Sequence, residues 1–85
     1  MNISKHEQRV LHELALGGAI HFERRENGKI HSVTCYTREG HILGECTLDL
    51  FHRLHRRGFL QSRNGRPYRA SRLGITSVRA QLNQR

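Results

Sequence analysis

Nine arginines and no acidic residue lie between Leu50 and Arg85. Seven of them, Arg53, Arg56, Arg57, Arg63, Arg66, Arg69 and Arg72, follow closely on one another. A run this basic cannot neutralise itself by internal pairing, so its charge is left for a partner. Guanidinium is planar, always charged and forked, and it fits phosphate or carboxylate oxygens better than the point charge of lysine. Phosphate backbones and acidic protein surfaces are the partners this points to; the plainer reading is a solvated face. Residues 1–49 carry six Lys or Arg against seven acids, so the formal charge of +8 belongs to the second half.

Sharper chemistry finds less support. Cys35, Cys46, His52 and His55 include the donors of a structural zinc site, but such sites pair ligands a few residues apart and these cysteines are eleven positions apart. No metal or other cofactor is expected, and both cysteines read as small core residues of a reducing compartment. Asp49 is the sole aspartate. Paired-carboxylate or Ser-His-Asp catalysis is therefore hard to assemble, and no catalytic residue is assigned. A metal-free ribonuclease remains, with His55, arginine and Tyr68 as acid, base and charge stabiliser.

The elements that must carry the arginines are legible from local pattern. Ser4 and Glu7 have capping-box spacing ahead of the apolar stripe Val10, Leu11, Leu14 and Ala15, and Gly17-Gly18 closes that helix. Ile20-His21-Phe22, the turn pair Asn27-Gly28 and residues 29–37 predict a β-hairpin. Ile30 and Val33 have opposite parity, which calls for a bulge or a shorter second strand. Arg38-Glu39-Gly40 reads as a turn, and Ile42-Leu43 as a short strand or an extended link. Thr47 caps a second helix with Asp49 in its first turn, Leu50, Phe51 and Leu54 inward, and His52, Arg53 and Arg56 outward, with Arg57 near the edge. Gly58 stops it. Phe59-Leu60, the turn Asn64-Gly65 and Tyr68-Arg69-Ala70 form a second hairpin. Ser71 or Thr76 caps a last helix that carries Ile75, Val78, Ala80 and Leu82.

The expected fold is a small α+β single domain over 1–85, in the order α-β-β-α-β-β-α. Residues 1–46 form a near-neutral helix plus hairpin, and 47–85 an Arg-rich helix, a wing and a C-terminal helix. Helix, glycine, strand, two-residue turn, return strand and closing helix is a winged-helix-like rhythm. The hairpin at 19–37 stands where the common module has a helix. A chain of 85 residues buries only about 60% of its unfolded surface, which leaves a thin core. No apolar run approaches the ~20 residues of a membrane span. Met1-Asn2-Ile3-Ser4-Lys5 has no apolar segment behind its charge, so no signal peptide is expected and the chain is expected in the cytoplasm.

Several strings carry a resemblance. They are Asn2-Ile3-Ser4 with Glu7-Gln8-Arg9, Leu11-His12 and Gly17-Gly18; Cys35-Tyr36 with Arg38-Glu39-Gly40; and Cys46-Thr47-Leu48 with Phe51 and Leu54. Asn64-Gly65, Pro67-Tyr68-Arg69 and Val78-Arg79-Ala80-Gln81-Leu82 with Arg85 complete the set. Together, over the whole chain, they resemble the YjhX family of small bacterial proteins. The resemblance implies the toxin side of a toxin–antitoxin pair, an acetyltransferase-like antitoxin as partner, and inhibition of DNA topoisomerase I rather than RNA cleavage. It supplies no catalytic residues. The preferred reading is a non-enzymatic inhibitor whose arginines, chiefly Arg53, Arg56, Arg57, Arg63 and Arg66, dock on the topoisomerase or its bound DNA. A DNA-binding winged-helix transcription regulator and a metal-free ribonuclease are the alternatives.

Overall fold

Helix α1 (Lys5–Ala15) begins with the capping box that its sequence encodes. Ser4 Oγ accepts from the Glu7 amide at 3.1 Å, and Glu7 Oε1 accepts from the Ser4 amide at 3.2 Å. The computed structural model describes residues 3–83, with side chains through 79. At the other end of α1, Gly17 takes a φ of 117°, its amide bonds to Leu14 O, and the Gly18 amide bonds to Glu13 O. That is a Schellman closure. Helix α2 (Leu48–Arg56) repeats the plan: Thr47 Oγ1 accepts from the Leu50 amide, Gly58 has a φ of 79°, and the Gly58 and Phe59 amides bond to His55 O and Leu54 O.

Between the helices, β1 (Ala19–Arg24), β2 (Ile30–Tyr36) and β3 (Ile42–Leu43) form an antiparallel sheet in that order. Ile42-Leu43 is thus a strand. The register shifts at Glu23/Arg24, where the pairing passes from Ser32 to Ile30 and leaves His31 as the extra residue. This bulge resolves the parity conflict, because both Ile30 and Val33 pack against the core. One expectation changes: the hairpin loop has three residues, Glu26, Asn27 and Gly28, and is not a two-residue Asn-Gly turn. The Arg25 amide bonds to Lys29 O, Gly28 alone of the three has positive φ, and Asn27 Oδ1 accepts the Lys29 amide. The side chain of Asn27 supplies a turn bond, so its backbone need not go left-handed.

After α2, β4 (Leu60–Gln61) pairs antiparallel with β5 (Arg69–Ala70), and α3 (Arg72–Asn83) follows. Ser71, rather than Thr76, caps α3. Its hydroxyl accepts from the Gly74 amide at 3.1 Å and donates to Gly58 O at 2.6 Å, while Thr76 lies inside the helix and donates to Arg72 O. Ile75 is half-buried and Val78 buried; the side chains of Ala80 and Leu82, also expected on the apolar face, lie outside the described residues. The two sheets are joined where Ile20 and Tyr68 exchange both backbone hydrogen bonds at 2.8 Å.

One core serves every element. Val10, Leu11 and Leu14 of α1 meet Ile20, Cys35 and Leu43 of the first sheet, Leu50, Phe51 and Leu54 of α2, and Leu60, Tyr68, Ala70 and Val78 beyond. Among the described residues, no helix is long and apolar enough to cross a membrane.

Gly74 lies against the backbone of Phe59, and a Cβ there would run into Phe59 O. Replacing a helical glycine by alanine ordinarily stabilises by roughly 0.5–1 kcal/mol. Here overpacking reverses the sign, and Gly74→Ala is expected to cost about 1–3 kcal/mol in urea denaturation. Gly44, with nothing near its Cβ position, is the control: Gly44→Ala should stay within about 0.5 kcal/mol of the parent.

Candidate functional site

The seven arginines separate into those that hold the fold and those that face outward. Arg57, the C-cap of α2, turns toward α1: its Nη1 lies 3.8 Å from Glu7 Oε2, and its side chain is 26% exposed. Glu7 is 3% exposed. One of its oxygens is used in the capping box, and the other has no hydrogen bond among the described residues. The Arg57 charge is therefore what offsets a carboxylate taken out of water. Sequence placed Arg57 at the edge of the basic face; the structure gives it an inward partner fifty positions away.

Arg53 and Arg56 stand exposed on the outer side of α2 with His52 and His55. Arg53 Nε is 3.8 Å from Asp49 Oδ2 one turn back, an open pair of little energetic weight. Both arginines lie in the last turn, where a cation suits the helix dipole, so part of their presence is explained by α2 itself. Arg72 is different. It occupies the first turn of α3, the positive end, and that turn contains no acid. A cation there costs α3 a few tenths of a kcal/mol or more, so helix stability does not explain it.

At the tip of the β4–β5 hairpin, Asn64 and Gly65 have φ of 54° and 73°, and the Arg66 amide bonds to Arg63 O at 3.0 Å. This is the two-residue turn that Asn-Gly encodes, with both central residues left-handed. It roots Arg63 and Arg66 on either side of a narrow tip. Gln61, Arg63, Arg66, Pro67 and Arg69 line one open cleft of about 300 Å³. Arg69 also donates from Nη1 to Gly17 O at 3.3 Å, which steadies it against the C-terminal end of α1. Arg63, Arg66 and Arg69 are thus brought together; Arg53 and Arg56 lie on α2, and Arg72 begins α3.

His55 is packed into an aromatic row. Its ring stacks on Phe51 at 5.8 Å and meets Tyr68 edge-on at 5.4 Å, and Tyr68 in turn contacts Phe51 and Phe22. Tyr68 is 8% exposed and its backbone is the link to Ile20. The cysteines, distant in sequence, are neighbours. Cys35 pairs in register with Leu43, and a turn from Leu43 O to the Cys46 amide brings the second thiol back to the first. The hydrogen bond between the two thiols, then burial, pushes the Cys46 thiol up from its ordinary value. His52 and His55 stand exposed on α2 while the thiols sit in the core, so the four do not converge.

Two further groups emerge only from the structure. Lys5, His6, Gln8, Arg9 and His12 line a cleft of about 460 Å³ with Glu45, which Arg9 contacts at 2.8 Å. Positions 5, 9 and 12 already spell a helical stripe opposite the apolar one. His21, Glu23, Ser32, Thr34 and Tyr36 share the outer face of the first sheet, with His21 and Tyr36 edge-to-face at 4.9 Å. Their period-two spacing was the available signal.

A family model described as "Putative toxin of bacterial toxin-antitoxin pair" matches residues 1–85. The chain is 58% identical over 85 residues to a UPF0386 protein of Ruegeria sp. (strain TM1040), which covers all of both chains. It is 54% identical over 85 residues to UPF0386 proteins of Aliivibrio fischeri and Parvibaculum lavamentivorans, again covering all of each chain. No solved structure matches.

If Arg57 offsets Glu7, Arg57→Ala should destabilise by about 2 kcal/mol in chemical denaturation, whereas Arg56→Ala should change little. Equal effects would dissociate Arg57 from the fold. The buried thiols generate a separate expectation: both should react with a bulky thiol reagent at least on the order of 100-fold more slowly in the folded chain than in denaturant. Fast labelling of the folded chain would contradict their placement.

Proposed function

This chain belongs to the YjhX toxin family over its whole length, and from that premise we propose that it is a toxin that acts by binding, without catalysis, inhibiting DNA topoisomerase I in the bacterial cytoplasm. Membership in a toxin–antitoxin family carries an antitoxin partner with it; the partner proposed here is an acetyltransferase-like protein. The observation that carries the reading is the outward set of arginines on a half-chain with no acid of its own: Arg53, Arg56, Arg63, Arg66, Arg69 and Arg72 are exposed. Docking of this surface on the enzyme or on its bound DNA occludes the substrate path, and no bond is made or broken by the toxin.

The burial of Tyr68 supports the non-catalytic side of this reading over a ribonuclease. Its ring packs against Phe51 and Phe22. A general acid or base needs reach to a substrate proton, and the Tyr68 side chain is turned into the core.

The test is relaxation of supercoiled plasmid by topoisomerase I in the presence of the double variant Arg53→Glu/Arg56→Glu. Arg57 is left in place because of Glu7. The variant should fold as the parent does, and inhibition should require at least about tenfold more protein, as expected when two charge-assisted hydrogen bonds of roughly 1 kcal/mol each or more are removed. Unchanged inhibition by a folded variant would end the proposal for α2.

A further inference from the structure

We infer that the outer stripe of α1 is the surface on which the antitoxin docks, and that the segment seated there carries carboxylates beside an apolar side chain. The inference rests on the proposed reading of the antitoxin as a protein and gives that partner a place on the toxin.

The stripe follows from helical geometry. At about 100° per residue, Lys5, Arg9, His12 and Leu16 fall within one sector of about 60°, while Val10, Leu11 and Leu14 face the core. All four residues of the stripe are exposed, and Leu16 at its end is 53% exposed despite being a large hydrophobic residue. Lys5, Arg9 and His12 line the cleft of about 460 Å³ with His6, Gln8 and Glu45.

Three observations identify the occupant. The site already holds a carboxylate, its own: Glu45 Oε2 lies 2.8 Å from Arg9 Nε. Among the described residues no other acceptor engages the Arg9 guanidinium, and that side chain is still 63% exposed. Its terminal nitrogens are thus available as donors to a second carboxylate. The balance of charge comes next. Lys5 and Arg9 against Glu45 leave one cation in excess, on a chain of formal charge +8. An acidic partner is drawn to this surface, and a second copy of the chain is repelled. One surplus cation is too little for a nucleic acid, whose binding neutralises phosphates in numbers of roughly six to ten. The third observation is the apolar share of the surface. Lys5, Gln8 and Arg9 bring methylene stems, the histidines bring rings, and Leu16 brings a whole exposed side chain. Protein interfaces are centred on apolar area of this kind, with the charges at its rim.

The antitoxin fits this surface better than the target does. None of these residues belongs to the arginine set that the proposed function assigns to the target, so the two partners engage the toxin through separate contacts. Glu45 also stands two residues before Thr47, the cap of α2. A segment that competes with Glu45 for Arg9 therefore sits beside the chain that enters the basic helix. An antitoxin seated there is placed to obstruct α2.

Isothermal titration of the full chain with a purified acetyltransferase-like antitoxin tests this, beside plasmid relaxation by topoisomerase I. Lys5→Glu/Arg9→Glu should weaken antitoxin binding at least about tenfold, since like charges then face each other. It should inhibit topoisomerase I as wild type does, and the antitoxin should no longer relieve that inhibition. Arg25→Glu/Lys29→Glu makes the same change of net charge at the first hairpin loop, where both side chains are exposed, and should bind the antitoxin as wild type does. Glu45→Gln removes the competing carboxylate of a surface pair and should tighten binding roughly threefold. Circular dichroism checks each fold; if the double charge reversal does not fold, Lys5→Gln/Arg9→Gln replaces it, with an expected loss of at least about threefold. Unchanged antitoxin binding by the folded stripe variant would overturn the inference. So would an equal loss in the loop control, or a Glu45→Gln chain that binds no tighter. A folded stripe variant that loses antitoxin and inhibition together would make α1 the target's surface and overturn its assignment to the antitoxin. Wild type that binds the antitoxin through the stripe but does not inhibit keeps the inference and sinks the proposed target. Wild type that does not bind the acetyltransferase-like protein ends that reading of the partner and the inference with it.

Discussion

The carboxylate of Glu7 is the one buried charge among the described residues, and two distant parts of the chain are organised around it. One oxygen closes the first turn of α1 on Ser4; the other faces the guanidinium of Arg57 at the end of α2. A carboxylate withdrawn from water is tolerated where both oxygens are compensated. The end of the basic helix is therefore held against the start of the first helix. The Schellman turn at Gly58 then sends the chain into the β4–β5 hairpin, and the Ile20–Tyr68 backbone pair fixes that hairpin to the first sheet.

The same logic explains how a chain of this charge stays folded. Among the described residues the ion pairs join Arg9 to Glu45, Arg53 to Asp49 and Arg57 to Glu7, so every acid in them comes from residues 1–49. Arg53 and Arg57, at α2, are the arginines of the acid-free half in these pairs, and none comes from the β4–β5 hairpin. Arg63 and Arg66 keep their charge directed at solvent, and Arg72 holds its place against the dipole of α3.

What sequence made legible was whatever is decided within a few residues. The capping box of Ser4 and Glu7, the glycine ends of α1 and α2, the Thr47 cap and the left-handed Asn64-Gly65 turn each close a ring of atoms between near neighbours. The bulge in β2 was announced by the parity of Ile30 and Val33. Less local facts were not legible. The Glu7–Arg57 pair and the Ile20–Tyr68 bridge join residues about fifty positions apart, and the adjacency of Cys35 and Cys46 depends on strand register. The first hairpin loop differed because Asn27 can satisfy a turn amide with its side chain, a choice its sequence leaves open. For the candidate site, the sign of the surface was readable and its division into framework and free arginines was not.

Inhibition by occupancy is the mode of action proposed for this chain. It is tested most directly by titrating the chain against a fixed amount of topoisomerase I in a plasmid-relaxation assay, with varied preincubation and a final dilution or salt step. Occupancy predicts inhibition that saturates at one chain or more per enzyme or DNA site, does not deepen with preincubation, and is reversed by dilution or salt. Inhibition far below equimolar amounts that grows with time and survives dilution would reveal turnover and contradict the account.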